Sequence, residues 1–88
     1  MEGFRKVNKK GYPGKLVFAK KVRNIDYSEM GEEILTYEDK LSAGFILENS
    51  EYFEGYYLIK FFTGEREFHW GSDLFERNLE LDLTHLRG

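Results

Sequence analysis

Tyr56-Tyr57-Leu58-Ile59-Lys60-Phe61-Phe62, then Thr63-Gly64, then Glu65-Arg66-Glu67-Phe68-His69-Trp70 is the stretch whose reading decides the fold. Its first seven residues are the most β-prone run in the chain, because aromatic and β-branched side chains suit a pleated, half-buried surface. Thr63-Gly64 supplies a tight turn, with glycine free to take the positive φ that such turns need. The run that follows alternates: Phe68 and Trp70 point one way, Glu67 and His69 the other. An antiparallel hairpin over 56–70 is the prediction.

Downstream, Gly71 to Glu76 reads as a single helical or 3₁₀ turn near 72–77. Asp73 and Glu76 stand at capping-box spacing, and Ser72 and Asp73 are the expected N-terminal cap. Leu79 to Thr84 alternates apolar and polar residues, the pattern of a half-buried strand. Upstream, 43–48 reads as a strand, and Asn49-Ser50-Glu51 opens a turn that Gly55 closes. Residues 34–41 fit two patterns: a helix through Ile34, Tyr37 and Leu41 that stops before Gly44, or a strand over 34–38. The strand is preferred. Ser28 to Glu33 is a polar loop. Lys15 to Tyr27 reads as one long strand with a bulge at Lys20-Lys21, with Leu16 and Phe18 on one face and Val17, Ala19, Ile25 and Tyr27 on the other. Phe4 to Asn8 is a short first strand. Residues 9–14 form a turn in which Gly11 and Gly14 are both free to take positive φ.

Nine glycines punctuate Val-, Ile-, Tyr- and Phe-rich segments at intervals typical of short strands. The fold class expected is all-β with one short helical turn, in a single domain spanning residues 1–88. The order of hairpin, helical turn and closing alternating strand over residues 56–84 resembles the end of an SH3-like small barrel, as in Tudor, KOW or photosystem-accessory domains. That resemblance implies a small barrel or a strongly bent antiparallel sheet of five to six strands. It matches no motif residue by residue and so transfers no site.

Composition narrows the chemistry. The chain has 88 residues and no cysteine, which excludes a disulfide framework and thiolate zinc ligation. No apolar run reaches the roughly 18 residues of a membrane-spanning helix. Neither a secretory leader, a lipidation motif nor a glycosylation sequon appears, so a cytoplasmic location is expected. His69, Ser72 and Asp73 are the residue types of a catalytic triad, but their closeness in sequence argues for turn formation instead. His69 and His85 share no metal-ligand spacing, and the acidic residues form no calcium loop. Gly11-Tyr12-Pro13-Gly14 lacks the spacing and the following helix of a phosphate cradle. Glu32-Glu33 and Glu38-Asp39 lie in polar stretches and read as solvated. The expectation is a non-enzymatic chain with no cofactor and no metal.

Two surfaces remain. Both faces of 56–62 are apolar, which fits a central strand covered on both sides. The functional alternative takes Tyr57 and Phe61, joined by Tyr52 and Phe53, as a protein-docking patch, since Tyr, Trp and Phe dominate binding hot spots. The second surface is basic. Net charge is −3, yet residues 1–25 carry eight basic side chains against one acid, while the remainder carries five against fifteen. Lys6, Lys9, Lys10, Tyr12, Lys15, Lys20, Lys21 and Arg23 form a candidate nucleic-acid footprint. The competing account is internal pairing of the basic segment with the acidic body. The function expected is that of a small accessory, adaptor or inhibitor protein, of the size and composition that resemble phage accessory proteins, docking on a larger protein. The alternatives are a nucleic-acid-binding module using the basic front, and a homo-oligomer, at its simplest a homo-dimer, that pairs through an aromatic face or an edge strand.

Overall fold

The computed structural model describes residues 3–78, which form eight strands: β1 (Phe4–Lys6), β2 (Leu16–Ala19), β3 (Val22–Tyr27), β4 (Glu33–Tyr37), β5 (Ser42–Asn49), β6 (Tyr56–Phe61), β7 (Arg66–Trp70) and β8 (Phe75–Arg77). One 3₁₀ turn, Gly71–Asp73, separates β7 from β8. Six strands make one antiparallel sheet in the order β1-β8-β2-β5-β6-β7, and β3 and β4 pair separately. The sheet is strongly bent: side chains from both of its edge strands, Lys6 on β1 and His69 on β7, line one cavity. It does not close, so of the two expected architectures the bent six-stranded sheet is the one adopted and the barrel is not.

Burial alternates strictly along β6, with Tyr57, Ile59 and Phe61 inside. Val17 and Ala19 from β2, Ile46 from β5 and Leu74 before β8 complete the core, and Val7 packs against it. Every core strand contributes on one parity only, as a sheet with one covered face requires. The β6–β7 turn is the expected tight one. The Gly64 N–H donates to the Phe61 carbonyl at 2.9 Å, and Gly64 takes φ +106°.

Several expectations are corrected. Lys20-Lys21 marks a departure from the sheet and not a bulge. Beyond it β3 pairs, among the described residues, only with β4, and Ile25 and Tyr27 are exposed instead of sharing the buried face of Val17 and Ala19. Residues 34–41 are the exception, since β4 over Glu33–Tyr37 is the strand that was preferred to a helix. The turn after β7 ends at Asp73, since Phe75–Arg77 is strand, and it has no side-chain cap, so Ser72 and Asp73 lie within it and do not cap it. The strand that returns to the sheet is β8, inserted between β1 and β2. The predicted strand over 79–84, and His85, lie outside the described residues. Gly11 does not take positive φ; it is required because a Cβ there would stand 2.5 Å from Ile46 Cδ1. Its N–H donates to the Tyr57 hydroxyl at 3.0 Å, which pins the β1–β2 loop to the core.

Candidate functional site

The faces of β6 and β7 are assigned by burial. Tyr57 is 5% exposed and Phe61 1%. Both are core residues, which removes them from the docking patch expected from sequence. The opposite parity carries the aromatic surface. Tyr56 and Trp70 are directly paired across the strands, as are Leu58 and Phe68. Tyr56 stacks on Phe68 with ring centroids 5.1 Å apart and planes 11° from parallel. Trp70 lies 4.5 Å from Tyr56 at a tilt of 46°. Phe53, from the β5–β6 loop, meets both Tyr56 and Trp70 edge-on at 6.0 Å. Such ring pairs contribute about 0.5–1.5 kcal/mol each beyond their area, so the cluster is pre-ordered.

The cluster is also open. Phe53 is 57% exposed, Trp70 47% and Phe68 46%, and Tyr52 stands almost wholly in solvent beside them. The loop that presents Phe53 is held by Ser50, whose hydroxyl accepts the Tyr52 and Phe53 N–H groups at 3.1 and 3.2 Å. A shallow cavity of about 280 Å³ runs along its edge, lined by Glu48, Asn49, Ser50, Glu51, Tyr52 and Phe68. An aromatic floor with a carboxylate rim is the result. No known family, characterised protein or solved structure matches the chain. The site is therefore read from its own geometry.

Of the residues expected to dock, Phe53 joins the cluster and Tyr52 flanks it. Tyr56, Phe68 and Trp70 were not expected there. The signal that marks them is Lys60, which shares the parity of Tyr56 and Leu58 and, being charged, belongs on a solvent face. The same rule fails on β7, where Glu67 and His69 point inward and His69 is 4% exposed.

Half of the basic residues of the front segment are ion-paired within the molecule. Lys15 reaches Glu76 at 3.8 Å and sits over the Tyr12 ring. Lys21 pairs with Glu65 at 3.1 Å and donates to the Thr63 hydroxyl oxygen at the same distance. Arg23 faces Asp39, and Arg5 faces Glu76. Lys6 donates to the Ser72 carbonyl, and Lys20 lines a cavity with it. Lys9 and Lys10 are exposed in the β1–β2 loop. Four ion pairs thus join residues 1–25 to the acidic remainder, the internal arrangement that was the competing account of the charge asymmetry.

Proposed function

We propose that the chain is a non-catalytic binding module that docks on a larger protein through the outer aromatic face of β6 and β7. The observation that supports this reading is the open cluster of Phe53, Tyr56, Phe68 and Trp70, four rings linked through Tyr56 with no covering element among the described residues. Rigid, half-exposed aromatics are the side chains that dominate protein interfaces, because they bury much area at little entropic cost. Glu48 and Glu51 on the rim favour a partner with basic groups around an apolar centre and disfavour a phosphate backbone.

The test is affinity capture from native lysate, with and without nuclease, using the wild-type chain and Phe53→Ala/Trp70→Ala. A dominant partner that survives nuclease and is lost with the double variant supports docking. Partners that vanish with nuclease and depend on Lys9 and Lys10 favour the nucleic-acid module.

One observation favours a second reading, self-association. β3 and β4 form a two-stranded sheet whose outer edges meet no other strand among the described residues, and Ile25, Tyr27, Leu35 and Tyr37 are exposed on it. Light scattering over a dilution series checks it: a dimer dissociating with dilution supports pairing through this hairpin, and a monomer throughout removes it.

A further inference from the structure

A second site lies away from the aromatic face, at the neck of the β3–β4 hairpin. A cavity of about 340 Å³ opens there, lined by Lys6, Lys20, Tyr37, His69, Asp73 and Phe75. Small-molecule sites begin at about this size.

His69 is the key to it. It is the one buried polar side chain among the described residues. Its Nε2 lies 3.0 Å from Glu67 Oε1, and the same carboxylate accepts the Val22 N–H at 3.0 and 3.2 Å. A carboxylate only accepts, so Nε2 carries the proton and donates, and in the neutral ring Nδ1 is left as an acceptor. No donor among the described residues reaches Nδ1, and no buried side-chain nitrogen or oxygen lacks a partner. Nδ1 is therefore an unpartnered, not fully enclosed acceptor on a ring that lines the cavity. Aromatic walls stand beside it: the Tyr37 ring centroid is 6.0 Å from that of His69, and Phe75 lies 4.9 Å under the Lys6 ammonium. Lys6 gives one proton to the Ser72 carbonyl at 2.6 Å and keeps two donors. Neither Lys6 nor Lys20 is ion-paired among the described residues.

Two cations, two aromatic walls and an unpartnered acceptor on the His69 ring describe the complement of one ligand class. We infer that the cavity binds a small aromatic acid. Its carboxylate meets the Lys6 and Lys20 ammonium groups, its ring lies against Tyr37 and Phe75, and a hydroxyl or amine on the ring donates to His69 Nδ1, with Asp73 as a second acceptor. This site does not depend on the docking face.

The experiment is an NMR titration of the whole chain, labelled at the histidine ring nitrogens, with 4-hydroxybenzoate as the probe. The expected result is saturable movement of the His69 resonances with a Kd on the order of 1 mM, as suits a ligand of this size. Benzoate, which lacks the donor, and phenol, which lacks the anion, bind at least about tenfold more weakly. Lys20→Ala, at an exposed position, keeps the fold and loses at least about tenfold in affinity. No saturable shift up to about 20 mM, more than ten times that Kd, overturns the inference. So does equal binding of all three probes, or unchanged affinity in Lys20→Ala.

Discussion

Gly44 shows how a single atom positions this sheet. It is buried where β5 crosses β6, and a Cβ there would stand 2.6 Å from the Lys60 carbonyl oxygen, which is backbone and cannot swing away. Gly44→Ala therefore lowers stability by about 1–3 kcal/mol, read as a shift of the urea midpoint; an unchanged midpoint contradicts the close approach. Tyr37 offers a second residue-scale test. Partial desolvation of its hydroxyl, then the charges of Asp73 and Glu67, raise its phenol above the ordinary value near 10. A group raised on folding contributes stability that is full below its unfolded pKa and lost as pH rises through the folded value. The difference between the alkaline absorbance titrations of wild type and Tyr37→Phe is expected to have its midpoint above pH 10, with part of the alkaline loss of stability absent from the variant. A midpoint at or below 10 contradicts it. At this scale the sequence was partly legible. The alternation of β6 was plain, but which parity faced inward was not, because Lys60 on β6 and the Glu67–His69 pair on β7 give opposite answers to the rule that polar residues face water. Burying that pair is made tolerable by the hydrogen bond between them and by the Val22 N–H, neither visible in a linear string.

The β3–β4 hairpin is where element-level reading and structure part. Double lysine at 20–21 marked the right place for an irregularity. What happens there is decided by residues more than forty positions away: Glu65 and Thr63 bind Lys21, and Glu67 binds the Val22 N–H. A hairpin of two strands is marginal in water by itself, so this neck holds it in place. Glu65 shows the same coupling: its carboxyl is drawn below the usual range by the hydrogen bonds of Thr63 and Lys21. Glu67→Gln is expected to speed hydrogen exchange at the Val22 and Glu38 amides by about ten- to a hundredfold, the loss of a charge-assisted bond. The Ile59 amide in the core is expected to hold. Equal acceleration at all three would mean that the neck is not a separate cooperative unit. The β6–β7 hairpin and β5 were legible because their signals are local: alternation, a Thr-Gly turn and flanking glycines. The position of β8 was not, because the strand is three residues long and its partners lie near the other end of the chain.

Across the whole molecule, the charge asymmetry visible in the sequence becomes an internal arrangement. Its cations are spread over three carboxylates beyond residue 25, Asp39, Glu65 and Glu76, and solvent-exposed pairs of this kind contribute little each. The molecule measures 54 × 27 × 22 Å, and its radius of gyration of 14.7 Å exceeds the roughly 12 Å of a compact chain of this length. Against that background the outer aromatic face of β6 and β7 stands out as apolar surface that no described element covers. The most direct test compares the wild-type chain with Phe53→Ala/Trp70→Ala in nuclease-treated capture by quantitative mass spectrometry, with thermal unfolding recorded for both. Docking through this face predicts that the variant unfolds within a few degrees of wild type and recovers at least about tenfold less of the partner. Equal recovery of the same partner by both chains would contradict it.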